Sequence, residues 1–180
     1  MRFSSLALVA ALALSACGGG TTAPPIGSDG KPLPRANKIT SRDANKIPFR
    51  MLDSVNVLRQ NAGLANVAFN AQLNAAAATH ARDMAIQNRP WHFGSDGSSP
   101  IDRVARVGYT GQFRGETISE TYETELETLA AWMEDPDTRN VIMDAQASEM
   151  GFAWHQENNG KVWWTLVMGA PAEPFFTAGL

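Results

Sequence analysis

Apolar positions along the second half of the chain recur with two different periods. Met51, Leu52, Val55, Leu58 and Ala62 follow helical spacing and predict a helix that Gly63 stops. A second stripe, Leu73, Ala77, His80 with Ala81, and Met84, follows Asn70, a side chain suited to capping a helix N-terminus. Ser99-Pro100-Ile101-Asp102 reads as cap, Pro at the first helical position and an acid two residues further on; the helix it starts ends at Gly108. A fourth helix is predicted from Glu120 to Glu134, with Tyr122, Leu126, Leu129 and Met133 on one face, and Asp135-Pro136 opens a short fifth. From Met150 the period changes. Residues 150–157 and 161–168 read as strands joined by the hairpin signal Asn158-Asn159-Gly160. Val162, Trp163, Trp164, Leu166 and Val167 are apolar on both faces, which predicts a strand covered on both sides and an α+β class with helices sandwiching the sheet.

The first residues follow neither period. Arg2 precedes an unbroken Leu/Ala/Val run from Leu6 to Leu14, too short to span a bilayer and suited to a signal peptide over 1–16. Leu14-Ser15-Ala16-Cys17 resembles the lipobox of bacterial lipoproteins, so Cys17 is the expected acylated N-terminus of the mature chain. Its acyl chains are the expected membrane anchor. The resemblance to bacterial lipoproteins implies, with Gly18 rather than Asp after that cysteine, the outer membrane of a two-membrane bacterium, on its periplasmic or surface side. Residues 17–46 are rich in Gly, Pro, Thr, Ser and Asn and read as a tether. The folded domain is then expected over 47–171, with a tail over 172–180 that holds Phe175-Phe176.

Composition narrows the function classes. The chain has 180 residues, is 44% hydrophobic and 18% charged, and carries a net charge of −3 with scattered Lys and Arg, which argues against a nucleic-acid partner. Cys17 is the single cysteine, so no intramolecular disulfide or Cys-rich zinc module can form. The chain holds no Gly-x-Ser-x-Gly elbow, His-Glu-x-x-His helix, phosphate loop or dinucleotide fingerprint.

Several segments match one pattern in order: MLDSVNVLRQNAGL, LNAAAATHARDMA, WHFGSDGSSPIDRVARVGY, GETI, AWMEDPDTR, EMGFAW and KVWWTLVMG. In this the chain resembles the CAP superfamily (cysteine-rich secretory, antigen 5, pathogenesis-related 1), in its compact bacterial SCP-like form. The resemblance implies a three-layer α-β-α sandwich with a small central antiparallel sheet and a groove that often holds two His and two acids, sometimes with a divalent metal. His92 matches the first groove histidine and Glu116, in Gly115-Glu116-Thr117-Ile118, the first acid; the second falls on Asp135 or Glu134. Thr138 stands where relatives carry the second histidine. A hydroxyl is a poor zinc ligand beside imidazole, so neither a metal nor another cofactor is expected.

These residues admit plainer roles. His92 and Glu116 can be a hydrogen-bonded pair fixing a loop, a ligand contact or an acid–base pair, and Asp135 before Pro136 suits a helix cap. His80 sits on an apolar stripe and is expected to pack there; His155, in a strand, is a weaker substitute ligand. Ser95, Ser98 and Ser99 lie near His92 in sequence, and Ser99 is explained as a cap. Trp91 is the tryptophan expected to be exposed for binding. The function expected is therefore a membrane-tethered, non-enzymatic module of the cell envelope binding a lipid-like or other envelope ligand in that groove, at His92, Glu116, Asp135 and Thr138. A hydrolase or peptidase using His92 and Glu116, or a structural and protein-interaction role, stands as the alternative.

Overall fold

Elements form in the order α1 (Ser41–Ala44), α2 (Ile47–Asn61), β1 (Ala68–Phe69), α3 (Ala71–Gln87), α4 (Pro100–Arg106), β2 (Gln112–Thr121), α5 (Glu125–Glu134), α6 (Pro136–Ile142), β3 (Glu149–Gln156) and β4 (Val162–Ala170). The computed structural model describes residues 38–121 and 123–172. The leader, Cys17, most of the tether, Tyr122 and the tail from residue 173 on lie outside these residues.

The helix starts follow from local chemistry. Asn70 accepts from the backbone N–H of Gln72 and Leu73, and Asp135 accepts from that of Asp137. Ser99 with Asp102 and Thr124 with Glu127 form reciprocal capping boxes, each satisfying orphan donors of a first turn. Thr124 also fixes a correction. The helix expected from Glu120 begins at Glu125, because β2 continues through Thr121. That strand, with Glu116 and Thr117 buried, escapes a pattern search because its inward side chains are polar.

The sheet order is β1-β3-β4-β2. β3 and β4 form the expected hairpin, closed by Glu157 N–H to Lys161 C=O at 2.8 Å, and β2 runs antiparallel to β4. The two-residue β1 pairs parallel to β3, so the sheet is mixed rather than purely antiparallel.

One face carries Met150, Phe152, Trp164, Leu166 and Met168, packed with Ile47, Met51, Val55, Leu129, Trp132 and Ile142 of α2, α5 and α6. Trp164 stacks on Phe152 at 5.6 Å between centroids. The other face presents Ala153 and Val167 to Leu73, Ala76 and Ala77 of α3 and to Val104 of α4. Gly151 permits that contact: a Cβ there would sit 2.2 Å from the backbone carbon of Leu73. Three layers, α-β-α, result. Trp163 and Trp164 are both fully buried because adjacent residues of a central strand face opposite layers.

The folded part starts upstream of residue 47. Ile39 packs on the core between the sheet and α2, α5 and α6, and its N–H donates to the Gln156 side chain at 3.0 Å, so residues 39–46, read as tether, are tied to the sheet.

Candidate functional site

Glu116 lies on the α3 side of the sheet, since it shares a cross-strand row with Val167. A carboxylate in an apolar layer needs internal partners. Arg103, from α4, supplies them: its Nη2 donates to both Glu116 oxygens at 2.8 Å, and both side chains are buried. Arg103 Nη1 donates to the carbonyls of His92 at 2.8 Å and Ser98 at 3.3 Å, so one guanidinium fixes the acid and the loop above it.

His92 tops this pair. Its Nδ1 lies 2.9 Å from Glu116 Oε1, and its side chain is 49% exposed. The carboxylate accepts, so Nδ1 carries the proton and Nε2 is the ring nitrogen left for an outside partner. Below them, His80 is fully buried, with Nε2 donating to the Trp91 carbonyl at 3.0 Å and lying 3.7 Å from Glu116 Oε1. Burial holds the His80 imidazole below its ordinary range, partly offset by the nearby Glu116 charge. Its Nδ1 has no partner among the described residues, as befits the bare lone pair of a neutral Nε2–H tautomer.

The structure therefore joins His92 and Glu116, and it places Asp135 and Thr138 in other roles. Asp135 caps α6, and the Thr138 hydroxyl donates to the Trp132 carbonyl at 2.6 Å, closing the end of α5. Neither is hydrogen-bonded to His92 or Glu116. Glu134 ends α5 and is exposed. His155 lies in β3, cross-strand from Trp163. Among the described residues no group of three or more His, Cys, Asp or Glu is placed to hold a metal ion.

The serines near His92 are committed elsewhere. Ser95 Oγ donates to Asp83 at 2.5 Å, Ser99 Oγ to Asp102 at 2.7 Å, and the buried Ser98 is held by its N–H to Asp96. Trp91 is half-buried beneath the Arg89 guanidinium, which stacks 3.8 Å from its ring centroid.

Sequence reasoning missed Arg103, whereas His80 packs inside on its apolar stripe as expected. A signal existed for Arg103: it sits beside Val104 on the inward stripe of α4, where a cation demands an internal partner. Arg59, at the end of the Met51–Val55 stripe, carries the same signal.

A separate apolar groove lies on the other side of the sheet. Val57 and Leu58 of α2 and Leu126, Leu129, Ala130 and Met133 of α5 line about 440 Å³, with Asp53 and Ser54 as its polar residues. Val57 is 55% and Leu126 42% exposed, so the groove opens to solvent. Its walls are aliphatic rather than aromatic. Among the described residues, no helix is long and apolar enough to cross a membrane.

Residues 52–168 match the cysteine-rich secretory protein family, CAP. YkwD of Bacillus subtilis (strain 168) is 24% identical over 137 residues, covering 75% of this chain; the chain spans about half of that protein, 52% of its length. Among solved structures, the SCP domain of an extracellular protein from Bacillus anthracis (Ames) aligns with a TM-score of 0.66 at 20% identity, covering 74% of this chain and 44% of that one. An outer surface protein from Borrelia burgdorferi aligns with a TM-score of 0.63 at 13% identity, covering 72% of this chain and 96% of that one. At these identities the structural likeness shows the fold. With the sandwich, the hairpin and the order of its segments, the match over 52–168 gives the family: the chain belongs to the CAP family of cysteine-rich secretory proteins.

Proposed function

We propose that the protein is an exported, membrane-tethered module of the bacterial cell envelope that binds an acyl-chain-like ligand in the groove between α2 and α5. The observation that carries this reading is the groove itself: six apolar side chains of α2 and α5 around about 440 Å³, with Val57 and Leu126 exposed to solvent. Each methylene of a ligand buried there contributes about 0.8 kcal/mol, enough for a chain of modest length to bind without a charged anchor. The Leu14-Ser15-Ala16-Cys17 sequence supports a lipid tether, which holds the groove close to a membrane's acyl chains. The descriptions of the two structural neighbours, one an outer surface protein and one extracellular, support export.

A fluorescent polyene fatty acid titrated into the full chain in a non-acyl detergent tests this. Saturable enhancement, displaced by palmitate and lost in Val57→Asp and Leu126→Lys, is the expected result. Binding unaffected by either substitution sinks the reading.

One observation favours a second reading. Glu116 fixes the His92 ring with Nδ1 protonated, which leaves Nε2 as a proton acceptor on a half-exposed side chain. Since Ser95, Ser98 and Ser99 are engaged by acids, the nucleophile in such a hydrolase would be water. Turnover of short acyl esters or peptides that disappears in His92→Ala, with the fold intact by circular dichroism, would favour catalysis over binding alone.

A further inference from the structure

The α2/α5 groove has a charge as well as a shape. Asp53 lies on its α2 wall, one turn before Val57, and is exposed. Among the described residues its carboxylate makes no hydrogen bond or ion pair. On the α5 wall Leu126, Ala130 and Glu134 follow one another at four-residue spacing, so that row ends in a second exposed carboxylate. Glu134 too has no ion pair among the described residues.

Neither helix offers a cation in return. Arg50 is paired with the buried Glu125 at 2.5 Å, and Arg59 is fully buried with its guanidinium on four backbone carbonyls. The start of α5 is closed to anions as well. Thr124 and Glu127 satisfy its first-turn donors, and the acids Glu125 and Glu127 occupy its positive end. The surrounding segment, residues 120–144, holds eight acids and one base, Arg139, so the negative excess of a chain of net charge −3 is concentrated on this side of the groove.

We infer that the ligand of this groove is a single-chain amphiphile with an ammonium head, its chain along Val57, Leu126 and Ala130 and its head at Asp53. This rests on the acyl-chain reading of the groove and adds the sign of the head. An anionic head on the same chain buries the same methylenes but brings its charge toward Asp53 and Glu134, with no free donor to receive it. An ammonium carries three N–H donors, which suit the Asp53 carboxylate and the Ser54 hydroxyl beside it. Asp53 is at the surface, so salt screens the preference while leaving the burial of the chain in place.

The test follows the Val57 and Leu126 methyl resonances of the ¹³C-methyl-labelled full chain in a non-acyl detergent at neutral pH. The chain is titrated with decylammonium, decanol and decanesulfonate, at low and high salt. All three are expected to shift the methyls saturably, with decylammonium binding roughly fivefold or more tightly than decanesulfonate at low salt. That ratio should fall toward one at high salt, in Asp53→Asn and in Asp53→Lys, which alter an exposed position and leave the circular dichroism unchanged. Comparing wild type with variant in the same micelles cancels the partition of each amphiphile into detergent. Equal affinity for the two charged heads, or a ratio that survives both substitutions, overturns the assignment of the head and leaves the acyl-chain reading standing. Shifts from none of the three compounds remove both.

Discussion

Arg103 and Glu116 form a buried ion pair in which a single guanidinium nitrogen donates to both carboxylate oxygens at 2.8 Å. The pair joins α4 to β2 and carries His92 on its outer side. Removing one partner leaves an uncompensated buried charge, at a cost of about 3–5 kcal/mol. Glu116→Leu and Arg103→Met are each expected to lower the unfolding free energy by that order. The double variant should recover much of the loss, which urea melts of all four proteins would show. Additive losses would mean the two side chains act separately.

Stability should also fall with acid in a way that reports His80. Burial lowers the folded-state pKa of His80 from its ordinary 6.5, against a smaller opposing effect of Glu116. The unfolded chain therefore binds more protons as the pH drops. The stability of this neutral histidine is present above pH 6.5 and is lost as pH falls through the depressed value. His80→Gln is expected to be less stable at pH 7.5 and to show a flatter profile between pH 7.5 and 5. An unchanged slope would assign the acid sensitivity elsewhere.

Arg59 makes a different kind of buried contact. It donates to the carbonyls of Ala65, Ile142, Asp144 and Ala147 at 2.8–3.0 Å, tying α2 to the loop between α6 and β3. Arg59→Met leaves several buried acceptors without donors, at about 1–3 kcal/mol each. The expected outcome is a chain that expresses poorly or melts well below the wild type, whereas Arg59→Lys should recover only part of the loss because one ammonium cannot span four carbonyls.

Asp135 and Thr138 should behave as helix-end residues. Asp135→Ala is expected to cost about 1 kcal/mol in thermal or chemical denaturation while fatty-acid binding at the α2/α5 groove is unchanged. Zinc added to the wild-type chain is expected to give no concentration-dependent rise in Tm. A saturable rise would reinstate a metal site at His92.

How far the sequence reaches is clear from particular elements. The caps at Asn70, Ser99 and Asp135, and the Asn158-Asn159-Gly160 hairpin, were legible because their determinants lie within a few residues of each other. The same locality explains why β2 was not: its inward Glu116 acquires a reason to be buried only from Arg103, 13 residues away, and its partner strand β4 lies some 50 residues on. Pairing His92 with Glu116 rested on a family resemblance, and the structure places them 2.9 Å apart. By itself the sequence determined the helix starts capped by Asn70, Ser99 and Asp135, the two-sided burial of the last strand and the family pattern. Only the tertiary structure decided that Arg103 governs Glu116, that the Thr138 hydroxyl closes the end of α5, and that the open apolar groove lies on the opposite side of the sheet. Those outcomes depend on which distant side chains meet, and a buried charge or an open groove is defined by such meetings alone.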